Sequence, residues 1–364
     1  MYNNTVSNTE KIKWIQIFAI LGLLSASAYA PLVWLNTKNF PTIPLMEGIY
    51  TPTEPLDIII SGVFMSALVL LIFYQKRLLA LFATGMYIYL CFVDQNRLQP
   101  YFYQSILTLL FINIFSKKTS SKTILQAVSL LFFATYFWSG VHKINGIFYI
   151  QWLHALEKHF SFIPLILLKA FTYLVPWMEL LMGIFLFFKF TRRFAVISII
   201  TMHSTIIGVL FYLGYGYNVI PWNIQNILSV WILFWSVERT SFQNYKITFK
   251  KGLVVLFTIL LPFSNLFGGW DHLLSFSFFT SKLNYYYIQI NDKDLEKNLP
   301  RHIQGYLRTH NDTKILYANE WAGDVNKVLF YPQDRCIHYL DGYIRSFSET
   351  PNKEELTSLV IYNK

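Results

Sequence analysis

The apolar run Tyr136-Phe-Trp-Ser-Gly-Val-His-Lys-Ile-Asn-Gly-Ile-Phe148 carries His142 and Lys143 where the sequence predicts the edge of a membrane span. A lysine at the border of hydrocarbon must find water, a partner or a task. Glu179 lies within a later apolar segment, just after Pro176 and Trp177, where a proline loosens the helix and frees carbonyls. His203 sits inside another, in Thr201-Met-His-Ser-Thr205. Lys, His and Glu so placed could move protons, which makes Lys143, His142, Glu179 and His203 the catalytic candidates. A second set, Asp94, Arg97, Gln99, Trp222, Asn223 and Asp271, clusters at predicted span ends with Gln95, Asn96, Asn218, Trp270 and His272. Unpaired buried charge is costly, so these groups are expected to pair or to line one outward-opening polar pocket that takes substrate.

Plainer readings stand beside these. Asp94 and Arg97, three residues apart, could form an ion pair at a helix start. Trp222 and Trp270 could be interfacial anchors. Lys143 could snorkel along its helix, and His203 could be a packed core histidine. No metal is expected: His142, His154, His159, His203 and His272 share no ligand spacing, and there is no H-E-x-x-H. G-x-S-x-G, P-loop and dinucleotide fingerprints are also missing from the sequence.

The elements that must position these residues are membrane helices. Only 14% of the 364 residues are charged while 54% are hydrophobic and 18% aromatic, against about 25% charged in a soluble domain. The expected fold class is an all-α polytopic bundle of about nine transmembrane helices with a small C-terminal α+β appendage. The segments are 12 to 36, 56 to 75, 78 to 93, 98 to 115, 124 to 142, 163 to 188, 194 to 213, 219 to 237 and 252 to 268. The first is too long, and its flank too plain, for a cleaved signal peptide.

The net charge of +10 comes in short clusters between apolar segments, which is a topology signal and excludes nucleic acid as the reading. One set of connections holds fourteen basic residues: Lys11, Lys13, Lys76, Arg77, Lys117, Lys118, Lys122, Lys189, Arg192, Arg193, Arg239, Lys246, Lys250 and Lys251. The alternate set holds four: Lys38, Arg97, Lys143 and Lys158. The bias predicts a cytoplasmic N-terminus and an extracytoplasmic C-terminus. The domains expected are 1–280 in the membrane and 281–364 outside it. Within the latter, 285–290, 315–321 and 328–332 read as strands and 294 to 309 as a polar helix. Internal repeats are missing from the sequence, which disfavours a transporter. Cys91 and Cys336 form no C-x-x-C; they could pair in an oxidising compartment or remain two thiols.

Tyr136-Phe-Trp-Ser-Gly-Val-His-Lys-Ile resembles the Tyr-Phe-x-x-Gly-x-x-Lys-Leu of the vitamin K-dependent γ-carboxylase superfamily and its bacterial members with a horizontally transferred transmembrane (HTTM) domain. The likeness continues through Glu179-Leu-Leu-Met-Gly-Ile-Phe-Leu-Phe-Phe188, Arg192-Arg193 and Met202-His203, over roughly 130 to 225. It implies a quinone as cofactor, with Lys143 as the base that deprotonates its reduced form. Such a lysine needs burial or a neighbouring positive charge to ease loss of its proton. Two departures count against protein carboxylation: Gln99 stands roughly where the family has a histidine, and the large luminal domains shrink to about 80 residues. Gly140 to Lys143 and Glu179 to Gly183 also resemble the Gly-x-x-Lys and Glu-x-x-x-Gly of small DoxX and MauE-like proteins, which work beside redox partners. The expectation is a quinone-linked enzyme in a bacterial inner membrane. The alternative is a non-catalytic scaffold or maturation accessory for an exported protein. The bilayer is the first partner in either case.

Overall fold

The computed structural model describes residues 6–235, 248–281, 283–310 and 313–362. Its helices before the C-terminal segment are α1 (Asn8–Tyr29), α2 (Leu56–Phe73), α3 (Arg77–Val93), α4 (Pro100–Asn113), α5 (Ser121–Lys143), α6 (Gly146–His159), α7 (Leu165–Phe185), α8 (Arg192–Leu213), α9 (Ile220–Phe234) and α10 (Phe249–Val255). A π-helical turn (Leu256–Leu260) joins α10 to α11 (Leu261–Ser264), giving one continuous stretch to Phe267. Pro262 removes an amide there, and the ladder widens just before it.

Among the described residues, six helices are long and apolar enough to cross a membrane: α1, α2, α5, α7, α8 and the stretch Phe249–Phe267. The expected count of nine is therefore not reproduced. A hydrocarbon core of about 30 Å needs about 20 helical residues, and α3, α4 and α9 have 17, 14 and 15. Nearly every residue of α4 is buried, so its apolar run serves the protein interior. The end of the eighth apolar segment, with Arg239 and Lys246, lies outside the described residues. α6 falls in a stretch the sequence reading left as a connection.

Two compact units result, and the division is not a single cut: one comprises residues up to 26, 64–86 and 100–281, the other 27–63, 87–99 and 282–364. The sequence boundary at 281 assigned 27–63 and 87–99 to the membrane part, whereas they pack with the C-terminal segment. In that second unit, β1 (Tyr285–Ile290) is followed by α12 (Lys293–Asn298), α13 (Arg301–Gln304), β2 (Leu307–His310), β3 (Thr313–Tyr317), α14 (Ala318–Asn326), α15 (Asp334–Arg345) and β4 (Thr357–Tyr362).

The antiparallel sheet has the order β2-β3-β1-β4, with Tyr287 opposite both Tyr317 and Val360. Only part of the predicted strand 315–321 is strand: the chain turns helical at Ala318, placing Trp321 fully inside. Residues 328–332 are coil, and Pro300 divides the predicted polar helix into α12 and α13. Trp321 binds the N-terminal segment directly. Its ring meets Phe40 at 4.7 Å, and its Nε1 donates to Asn39 O at 2.8 Å.

Candidate functional site

α5 sets Tyr136, Ser139, Gly140 and Lys143 at i, i+3, i+4 and i+7, one face of a helix. That face meets α7 in a continuous antiparallel register. Phe133 packs on Phe187 at 4.5 Å, Gly183 abuts Phe137, Gly140 abuts Pro176 and Leu180, and Lys143 reaches Glu179. A Cβ on Gly140 would lie 2.5 Å from Pro176 O, and one on Gly183 2.8 Å from Phe137 N. The two glycines thus let the backbones touch, and that approach brings the charges together. Lys143 Nζ donates to Glu179 Oε2 at 2.5 Å and to Ser139 Oγ at 2.7 Å, with the side chains only 6% and 12% exposed.

α5 stops immediately after the pair. Asn145 caps α6, its Oδ1 accepting from Phe148 N at 2.8 Å, while its Nδ2 donates to His142 O and Thr280 O. α6 then keeps the same register along α7, with Tyr149 4.8 Å from Tyr173. The pair therefore sits at the break of a two-piece arm, α5 and α6, laid against one unbroken helix.

A second chain of polar groups starts one face-turn back, at Tyr136. Asn223 fixes its direction: its Nδ2 donates to Val219 O at 2.8 Å, leaving Oδ1 to accept from His203 Nδ1 at 2.6 Å. The proton of His203 is thus on Nδ1, and Nε2 accepts the Tyr136 hydroxyl at 2.9 Å. Glu179 is near enough to act electrostatically on both Tyr136 and His203. Trp222 packs edge-on to His203 at 6.3 Å and donates to Gln104 Oε1 at 2.6 Å. Gln104 in turn donates to Asn226 at 2.8 Å, and Ser105 to Gln225 at 2.8 Å.

The segment 271–281 covers this cluster. Phe278 stands on Trp222 at 5.0 Å, and Phe276 meets Tyr103 at 6.2 Å. His272 contacts Thr280 at 2.9 Å, and its ring lies 5.9 Å from His142, which stacks on Trp138. Phe276, Phe279 and Ser281 all hold positive φ, 58°, 54° and 59°, a conformation that bulky residues adopt under constraint. Asp271 Oδ1 accepts from Leu274 N at 2.9 Å and so supports the turn of this cover.

Of the predicted site residues, Lys143, His142, Glu179, His203, Trp222, Asn223 and Asp271 fall in this unit. Asp94, Arg97 and Gln99 belong to the other. Asp94 pairs with Lys38 at 2.7 Å, both side chains fully buried. Arg97 spends its donors on Val33 O, Leu90 O and Asn36 Oδ1, and Gln99 on Asn96 O and Leu329 O. Burial pushes Lys38 below the ordinary lysine range, and Asp94 opposes that shift. These contacts tie loops together, so the anticipated Asp94 to Arg97 ion pair is replaced by Lys38 to Asp94. Cys91 and Cys336 are both buried free thiols. Among the described residues, no group of three or more His, Cys, Asp or Glu is placed to hold a metal.

Sequence reasoning missed Ser139, Gln104 and Asn226, and used Tyr136 only as part of a motif. The available signal was the spacing Trp222, Asn223, Asn226 within an apolar run, and Gln104 four residues into α4. No family model matches the chain, and neither a curated protein nor a solved structure matches it.

Proposed function

We propose that this chain is a multi-pass membrane protein that exchanges a proton with a lipid-soluble substrate at the Lys143–Glu179 pair; the resemblance to the carboxylase and HTTM superfamily supports the part given to Lys143. The observation that carries the reading is the pair itself: two opposite charges, nearly buried and in contact, at the only point where the α5–α6 arm breaks against α7. Held this way, Glu179 is the proton acceptor and Lys143 the cation that steadies the anion left behind. Lys143 thus acts with its partner, and not as the lone base the sequence suggested. Tyr136, two turns from Lys143 on the same face of α5 and aligned by His203 and Asn223, is the next hydroxyl along that face that can carry a proton.

A quinol is the substrate class that the resemblance favours, and when bound it would supply a phenol-type hydroxyl as the proton donor. Two groups of this chain support that reading: Tyr103 Oη, whose ring meets Phe276 at 6.2 Å, and Trp270 Nε1 are each buried without a hydrogen-bond partner. The Lys and Arg near the start of the chain support a cytoplasmic N-terminus, and the side on which the C-terminal unit lies follows from the number of spans. Mass spectrometry of lipids copurifying with wild type and with Lys143→Ala tests the reading. A stoichiometric quinone weakened in the variant is expected; none in either sample would overturn it.

A scaffold for an exported or redox partner is the second reading. It is favoured by Tyr285 and Tyr317, exposed on the sheet of the C-terminal unit, and predicts that function follows that surface and survives loss of Lys143.

A further inference from the structure

The four-stranded sheet ends on two edges of opposite character. β2 is four residues long and carries Arg308 and His310, both exposed. Short length and charge keep an edge from pairing with another chain. β4, Thr357-Ser-Leu-Val-Ile-Tyr362, has six residues and no charge, is rich in side chains that favour strands, and pairs with β1 alone.

One bond fixes which way the β4 backbone points. Asn291 N donates to Leu356 O at 3.0 Å, continuing the β1–β4 register as a hydrogen-bonded pair, so by alternation Ser358 and Val360 also turn their amides and carbonyls toward β1. Thr357, Leu359 and Ile361 turn theirs outward. The Thr357 carbonyl is taken by Arg345 Nη2 at 3.4 Å, which closes the start of the edge. Among the described residues, no other backbone group bonds to the outward amides and carbonyls of Leu359 and Ile361. Ser358 is exposed and Ile361 is 40% exposed, so this stretch is open to a partner strand.

We propose that the edge joins two copies of the chain, β4 against β4 and antiparallel, about a two-fold axis through Val360. In that register Leu359 lies opposite Ile361 of the second copy and exchanges two hydrogen bonds with it, and symmetry supplies two more. Every outward group of Leu359 and Ile361 is then used, without calling on Thr357. The facing side chains are Leu on Ile and Val on Val, apolar throughout. Glu354 and Glu355, exposed just before the strand, stay far from their counterparts: the two copies of Glu355 are about 34 Å apart at 3.4 Å per residue, well beyond a Debye length. A parallel joint would instead set these like charges side by side. A flexible peptide from another protein must be ordered before it can make the same bonds, whereas a second β4 is already a strand. Self-complementary register, charge and pre-ordering together favour a second copy. The joint is small beside the roughly 1,200–2,000 Å² of a standard interface, so the dimer is reversible.

The test oxidises the full chain mildly in the membranes of the expressing cell and reads covalent dimer on a non-reducing gel. Opposed residues of a non-hydrogen-bonded pair have Cα atoms about 4.5 Å apart, within reach of a disulfide. Val360→Cys is therefore expected to cross-link to its own counterpart at least ten-fold faster than Ser358→Cys, whose counterpart lies about 14 Å away along the joint. Wild type, whose Cys91 and Cys336 are buried, is the blank. Val360→Cys/Ile361→Lys places a charge on the joint without touching a bond to β1; it should melt like Val360→Cys and cross-link at least ten-fold more slowly. No dimer from Val360→Cys, equal rates for Val360→Cys and Ser358→Cys, or an adduct of Val360→Cys with a different protein overturns the proposal. Lys143→Met/Val360→Cys should cross-link like Val360→Cys, which separates this result from any failure of the proton site.

Discussion

Removing one charge of the Lys143–Glu179 pair and removing both are different experiments. Lys143→Met alone strands a nearly buried carboxylate and should cost roughly 3–5 kcal/mol, whereas Lys143→Met/Glu179→Leu should be near neutral. Thermal melts in detergent measure the difference; equal losses in the two would mean that the charges are not coupled as the 2.5 Å contact requires. Tyr136→Phe leaves His203 Nε2 without its donor in a buried setting, at a cost of about 1–3 kcal/mol. Its melting temperature should fall, and that of His203→Phe/Tyr136→Phe should fall by less than the sum of the two single changes. At this scale the charged residues were legible in the sequence because Lys, Glu and His stand out in an apolar run. Tyr136, Ser139 and Gln104 did not, since neutral polar groups merge into a chain with 24 tyrosines and 33 phenylalanines.

Gly140→Ala places a methyl against the α7 backbone, which cannot swing aside as a side chain would. The expected result is a loss of about 1–3 kcal/mol together with a separated ion pair. Gly208→Ala on α8, where a Cβ meets open space, should be tolerated. If Gly140→Ala melts like wild type, the crossing is looser than the backbone contact implies. On β1, burial first and then the hydrogen bond to Asp334 push the Tyr286 phenol above its ordinary range. An unfolded tyrosine loses its proton near pH 10 while the folded one keeps it. The contribution is therefore complete below that pH and lost as pH rises above it, and Tyr286→Phe should flatten the alkaline limb of a stability profile. Apolar length located most of the helices. It missed α6, whose His154, Glu157 and Lys158 read as a loop, and it overextended the strand at Tyr317, where Ala318-Asn-Glu-Trp-Ala prefers a helix.

For the whole molecule, the membrane-length helices and the β1 strand were readable, whereas the composition of the second unit was not. Periodicity reports which face of an element is apolar and cannot say that Phe40 will meet Trp321 and Phe330 nearly 300 residues later. One experiment changes as a result. Deleting 282–364 does not trim an appendage but strips the partners from Phe40, Asn39, Asn96 and Gln99. The truncated chain should aggregate on size-exclusion chromatography. A sharp monodisperse peak would show that residues 27–63 and 87–99 fold without the C-terminal segment. Point changes at Tyr285 and Tyr317 are the cleaner probe of that surface.

The interleaving of the two units also sets a schedule for biosynthesis. Residues 27–63 and 87–99 emerge early, and the ribosome must then make about 230 more residues before partners such as Trp321, Leu329 and Tyr331 all exist. At about 5–20 residues per second, that is a wait of roughly 12–46 s. Throughout that interval Phe40 lacks the rings of Trp321 and Phe330 that cover it in the folded chain, so its apolar surface is exposed during synthesis.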